Sequence, residues 1–489
     1  MKSHKWYFIK GVCFLVLVTL LVHGINKIMI PKFYFDNTWP TTTGLKGFYK
    51  MEENTIDVIY LGSSHAATSY SPQAAYDYNG LKSYNLSCEQ QNMLTSYYWL
   101  KEAYRFQKPK VVVLDTFMLY DLAPSEPLNS PESTTRKAID TMKWSEVKWE
   151  AIHDIAEHDA KQSVNSYIFT NIRFHDRWKS LTEQDFEYPM LDKKFELKGY
   201  VPLSSRAGSD EYTPFVDYTV EENEKMLPLM NYYLDKIVEL CKENNTKLIL
   251  VKTPTVSWSA AKHNAVAEYA LQNNLDFIDY NDLATLASIG FIFTEDMNDY
   301  GHPNIWGAEK LSIHMATLLE EQYGIRSVGD SEMWHDTYNY YQDIKRDCEL
   351  SNISDIYEYL QAINQSRYTV LIAVSTDATG ILTDELISAF SDLGFNMNLE
   401  EKESYYGVIA DGDVIENHSM EAISYIGSTR NKKVDYEVAS SGYYAGSSCS
   451  IKIDNTQYAK GTAGINIVVY CNETWKVIDS IVYNGEVVW

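Results

Sequence analysis

The chain has 489 residues, 45% of them apolar, which is too long for one ordinary core and apolar enough to build two or three domains. With 67 acidic against 42 basic residues its formal net charge is −25, which argues against nucleic acid and against an anionic membrane surface as the main partner and leaves neutral glycans or small acyl donors as better fits. Six cysteines are present; setting aside Cys13 in an apolar leader leaves an odd number with no CxxC spacing, which argues against a disulfide framework or a zinc site, although Cys449 and Cys471 could pair on adjacent strands.

At the N-terminus Lys2, Lys5 and Lys10 precede an uncharged run from Gly11 to Val22, followed by His23, Asn26 and Lys27. The run alone is shorter than the roughly 20 residues a bilayer requires. Counted from Trp6 to Asn26, with Lys10 snorkelling and Trp6 and Tyr7 as interfacial belt residues, the segment crosses once. No small-x-small cleavage site follows it, so residues 1–30 are expected to be an uncleaved transmembrane signal anchor. The lysine balance puts the N-terminus inside and the bulk of the chain outside the cytoplasm. A secreted protein with an ordinary signal is the alternative. Residues 31–54, rich in aromatics, threonines and turn formers, read as a stalk.

Strand-like apolar runs then alternate with helical patterns: Val58 to Leu61, a helix near Pro72 to Tyr78, Ser83 to Leu86, a helix near Met93 to Phe106, and Val111 to Leu114. After a break come a helix from Glu222 to Glu243, the run Lys247 to Val251, a helix from Ala260 to Gln272, Asp276 to Ile278, and a helix from Ile305 to Tyr323. This alternation predicts an α/β domain over residues 55–325, a parallel sheet between helical layers with its active residues at the carboxyl ends of strands. Residues 122–219 lose the pattern and read as a lid or binding insertion, and 326–367 as a polar linker with a helical patch near Ile353 to Ile363. From Tyr368 to Trp489 short strands, glycine turns and a helix from Thr383 to Leu393 predict a separate α+β, β-rich domain.

The first strand leads into Gly62-Ser63-Ser64-His65, a strand-to-helix turn where backbone N–H groups can face an oxyanion. Ser63 is the neighbouring candidate nucleophile. Far downstream, Asp299-x-x-His302 precedes Pro303-Asn304 and a helix; this spacing lets Asp299 accept from one ring nitrogen of His302 while the other faces Ser64. The bland reading of that pair is an aspartate capping a helix beside a solvated histidine. In the insertion, His175, Arg177 and Trp178 could bind an anionic or sugar group, but clustered arginine and tryptophan more often buttress a lid through stacking and ion pairs. Lys252-Thr-Pro-Thr255 lines the pocket by position alone. No motif calls for a metal or another cofactor.

Together the Gly-Ser-Ser block and the Asp-x-x-His block resemble the SGNH (GDSL-like) hydrolase superfamily, and the N-terminal anchor resembles its membrane-anchored extracytoplasmic branch. The resemblance covers about residues 55–325 and implies a three-layer SGNH-like fold with Ser64 as nucleophile, His302 as base, Asp299 as its orienting acid, and the N–H groups of Ser64 and Ser87 at the oxyanion. Ser87 stands where the family has glycine. The family's Gly-x-Asn-Asp block is absent, since Asp115 is followed by Thr116-Phe117-Met118; a missing oxyanion donor costs about 10²- to 10³-fold in rate. Residues 368–489, through Gly442-Tyr443-Tyr444 and the Gly464 and Val477 strands, resemble the interleukin-like EMT inducer (ILEI) domain, whose relatives bind carbohydrate, with Tyr443, Tyr444 and Trp475 as platforms.

The expected function is that of an anchored SGNH-like O-acyltransferase or esterase acting on O-acyl groups, acetyl foremost, of a cell-envelope or exported polysaccharide, with a membrane-bound acyltransferase as partner. The alternative is a non-catalytic surface glycan-binding protein that keeps the fold.

Overall fold

Val58–Leu61 and Val111–Asp115 are runs in which every residue is buried, the signature of strands covered on both faces. The computed structural model describes residues 2–30, 41–120, 122–181, 183–186, 197–206, 219–327, 332–429, 434–474 and 476–489. Two compact units result, Met1–Tyr341 and Gln342–Trp489.

In the first unit β1 (Val58–Leu61), β2 (Ser83–Asn85), β3 (Val111–Asp115), β4 (Lys247–Lys252) and β5 (Asp276–Asp279) form a parallel sheet in the order β2-β1-β3-β4-β5. Side chains alternate between two cores. Ile59, Leu61, Val112, Leu114, Leu248 and Leu250 face the helices Met93–Ala103 and Pro228–Glu243. Val58, Tyr60, Val111, Val113, Ile249 and Val251 share the opposite core with helix Ile305–Tyr323. The α/β expectation therefore holds as a parallel sheet between helical layers. The strand order reverses between β1 and β3, and the carboxyl ends of strands at such a reversal are where open α/β sheets bind ligands.

An N-terminal helix, Lys2–Met29, contains a 25-residue stretch, Lys5–Met29, whose most apolar 18-residue window has a mean hydropathy of 2.2, long and apolar enough to cross a membrane. Residues 31–40 of the expected stalk lie outside the described residues. The remainder is not a stalk: Leu45 and Phe48 are buried in the sheet's core, and Tyr84 Oη donates to the Gly44 carbonyl at 2.6 Å. Threonines and aromatics there pack instead of spacing.

The 122–219 interruption likewise enters the core. Helices Glu132–Thr141 and Glu146–His158 bury Ala138, Ile139, Val147, Ile152 and Ile155 with the strands. Their charged residues hide the pattern: Arg136 is fully buried, bonded to Asp140 and Ser166 and stacked 3.9 Å from the Tyr167 ring centre, and Lys137 pairs with Glu89 at 2.7 Å. Burial lowers the Lys148 ammonium to about 8, while Asp140 opposes the shift. The linker expected over 326–367 is largely helical, Glu332–Glu349 and Ile356–Ile363, and the division between units falls within the first of these.

The second unit is a curled sheet of ten strands. Its central strand Tyr368–Thr376 alternates between a core under helices Ile356–Ile363 and Asp384–Leu393 and a second core on the opposite face. Strands Asp413–Ser419 and Ile423–Ser428 escaped sequence reading because they are largely solvent-facing. Cys449 and Cys471 sit on strands separated by two others, and all six cysteines are free, so the conditional pairing fails.

Two left-handed glycines test the packing. Gly80 (φ +78°) faces open space, whereas a Cβ on Gly199 (φ +85°) would sit 1.8 Å from the Asn85 carbonyl oxygen. Gly80→Ala should cost about 1 kcal/mol and Gly199→Ala at least about 3 kcal/mol in urea unfolding. Equal losses would refute the close approach.

Candidate active site at the carboxyl edge of the sheet

Gly62 ends β1 with φ +151°, and a Cβ there would lie 2.8 Å from the Asp115 Cβ and 3.0 Å from the Ala66 Cβ. This squeeze turns the chain sharply into the helix Ser64–Ser69, whose N-cap Ser63 accepts the His65 N–H at 3.3 Å. Ser63 Oγ is thus used as a cap, and Ser64 opens the helix. Among the described residues the Ser64 N–H has no acceptor.

Ser64 Oγ lies 2.8 Å from His302 Nε2, and His302 Nδ1 lies 2.9 and 3.1 Å from the two oxygens of Asp299. The tight loop is closed by Asn298 N–H donating to the His302 carbonyl at 2.8 Å. Asp299 also accepts from the Gly301 and His302 N–H groups and from the Asn298 side chain. Burial alone would raise its pKa; the His302 hydrogen bond and charge and these further donors outweigh it and bring the carboxyl to about 2. The helix that follows is capped by Asn304, which accepts Gly307 N–H at 3.1 Å, so Asp299 is not the helix cap.

Beneath this line lies a buried polar cluster that sequence reading did not assemble. His65 is 4% exposed, its ring centre 3.7 Å from that of Phe117 and 5.0 Å from that of His302. Its Nδ1 is 3.5 Å from Lys252 Nζ at the end of β4. Lys252 is fully buried; it donates to the Thr253 carbonyl at 2.9 Å and pairs with Asp115 at 3.5 Å. Asp115 at the end of β3 also accepts from Phe117 N–H and Thr253 N–H. Burial, the Lys252 charge and the His302 ring together hold His65 well below the ordinary imidazole range, hence neutral. The signal was present in the sequence: a lysine ending the apolar run Leu248-Ile-Leu-Val-Lys252, and a histidine beside Ser64.

Loops brace the site from two sides. Val256 N–H and Thr255 Oγ1 both donate to the Tyr300 carbonyl, at 3.0 and 3.1 Å, so the Lys252–Thr255 segment supports the Asp299–His302 loop. The limb 197–206 donates Val201 N–H to the Ala67 carbonyl, accepts Ile305 N–H on the Leu203 carbonyl, and donates Ser205 N–H to Asn298 Oδ1. Ser87, just past β2, is buried, and its Oγ has no hydrogen-bond partner among the described residues.

The other sequence candidates lie elsewhere. Arg177 bonds Asp185 and the Met29 carbonyl, His175 Nδ1 lies 2.9 Å from the Ile172 carbonyl, and Trp178 is exposed. Among the described contacts none of the three reaches Ser64 or His302. In the second unit Tyr443 and Tyr444 are exposed, edge to face at 5.4 Å, with Lys402 Nζ within 6 Å of both rings at 5.7 and 5.4 Å. Trp475 lies outside the described residues.

Breaking a buried pair leaves an uncompensated charge, so Lys252→Met should lower stability by about 3–5 kcal/mol, and adding Asp115→Asn should restore part of it. Simple additivity of the two losses in urea unfolding would show that the charges do not interact. For His65 the folded state resists a proton that the unfolded chain accepts below about pH 6.5, so stability falls as pH drops through that value, by up to about 1.4 kcal/mol per pH unit. His65→Gln should show a shallower slope between pH 6.5 and 5; matching slopes would remove His65 from the account.

No protein-family model matches the chain, and no curated protein matches it.

Proposed function

We propose that the protein is a membrane-anchored, extracytoplasmic SGNH-like serine enzyme that transfers or hydrolyses O-acyl groups, acetyl foremost, on a cell-envelope or exported polysaccharide. The observation that carries this reading is the 2.8 Å approach of Ser64 Oγ to His302 Nε2, with Asp299 on the other ring nitrogen. In the reaction Ser64 Oγ bonds to the acyl carbonyl carbon while its proton passes to His302 Nε2. Asp299 holds the Nδ1 proton and stabilises the imidazolium. The N–H groups of Ser64 and Ser87 face the oxyanion. His302 then returns the proton to the leaving oxygen, and a sugar hydroxyl or water repeats the sequence on the acyl-enzyme. With a sugar hydroxyl as acceptor the step is transfer, and an acyl donor delivered through a membrane-bound acyltransferase fits it. The N-terminal helix supplies the anchor, and the exposed Tyr443–Tyr444 pair supplies a candidate sugar platform in an ILEI-like second domain.

A fluorophosphonate probe on the purified full-length protein tests the reading. The parent should label and Ser64→Ala should not; Asp299→Asn should slow labelling about 10²- to 10⁴-fold. Labelling that survives in Ser64→Ala would move the nucleophile elsewhere. An inert parent that still binds glycan would favour the non-catalytic alternative.

A further inference from the structure

The short helical turns Asn171–Phe174, His175–Lys179 and Glu183–Phe186 touch the end of the N-terminal apolar helix. Met29, in that helix's last turn, is buried and Asn26 and Ile28 are half-buried, whereas the other side chains from Lys5 to Lys27 are exposed. The last carbonyls of a helix lack intrahelical donors and carry partial negative charge. Arg177 answers this by donating Nη1–H to the Met29 carbonyl at 2.7 Å while Nη2–H holds Asp185 at 2.6 Å. The turns are thereby fixed at the level where the apolar helix ends.

On and beside those turns four large apolar side chains are exposed: Phe169 at 58%, Ile172 at 52%, Trp178 at 66% and Phe186 at 58%. Exposed apolar groups on successive turns that meet one helix end point to an interaction surface. Trp178 has Lys179 Nζ 5.6 Å from its ring, an amphipathic pairing suited to the headgroup level.

We propose that this segment is a membrane foot: Phe169, Ile172, Trp178 and Phe186 rest in the headgroup–acyl boundary of the bilayer that the N-terminal helix crosses. This rests on the anchoring reading above and goes beyond it, because it fixes the height and tilt of the Ser64-bearing unit over the lipid instead of leaving it on a flexible tether. Attraction to the bilayer comes from apolar burial and not from charge, since the chain's formal net charge is −25 and Arg173 and Lys179 are paired with Glu132 and Asp176. Neutral phosphatidylcholine therefore suffices as the probe surface.

The test uses full-length protein in phosphatidylcholine nanodiscs, with Cys13→Ser and Cys449→Ser removing the accessible thiols. An environment-sensitive dye is placed in turn through Phe169→Cys, Trp178→Cys, Leu15→Cys within the apolar helix, and Tyr78→Cys on the exposed face of the same unit. Dyes at 169 and 178 should be quenched by lipids spin-labelled near the headgroup and several-fold less by aqueous iodide than the dye at 78. If 169 and 178 match 78 in iodide while 15 is quenched by lipid, the foot is wrong and the anchor stands. If 15 itself meets iodide, the anchor fails and the foot with it. Shielding of 169 and 178 from both quenchers would mean that protein, not lipid, covers the surface, which also overturns the proposal.

Discussion

Lys252 is fully buried, so the protein must solvate its ammonium, and the groups that do so tie together the ends of three elements. Asp115 comes from β3, the Thr253 carbonyl from the turn after β4, and His65 from the helix that follows β1. An ion removed from water is tolerated only when paired and hydrogen-bonded, so none of these elements can shift alone without exposing or orphaning a charge. Ser64, one residue before His65, inherits that rigidity. The position of the hydroxyl thus follows from the electrostatics of a neighbour that never touches it.

The same edge explains why some of the molecule was legible in sequence and some was not. β1, β3 and β4 are continuous apolar runs because helices cover both faces, and such runs stand out without an alignment. Asp299 and His302 stand out because three residues in a tight loop suffice to bring their side chains together. Lys252 and Asp115 are 137 residues apart, and only the register of β3 against β4 makes them neighbours. Between 132 and 158 apolar periodicity was masked by Arg136, Lys137 and Lys148, which read as a solvated face yet are buried against partners. Burial of paired charge is the pattern that hydropathy inverts.

The limb 197–206 shows how an interruption can serve the site without being a lid. Gly199 lets it cross the Asn85 carbonyl, and from there its backbone bonds first to the Ser64 helix at Ala67, then to Ile305, which opens the helix after His302, and to Asn298 in the His302 loop. One strap therefore spans both halves of the Ser64–His302 pair. Separations of a few tenths of an ångström matter to proton transfer, and a strap bonded to both sides limits their relative drift.

Two imidazoles lie 5.0 Å apart at this edge, and the proposed reaction uses one of them as its base. Their surroundings divide the roles. His302 has the Asp299 carboxylate 2.9 Å from its Nδ1. His65 is buried and has an ammonium at its own far nitrogen, both of which penalise the cation. In the proposed reaction a neutral His65 leaves no like charge beside the His302 ring. A carboxylate behind one ring and an ammonium behind the other give two like imidazoles different surroundings, which is the division of roles the proposed reaction calls for.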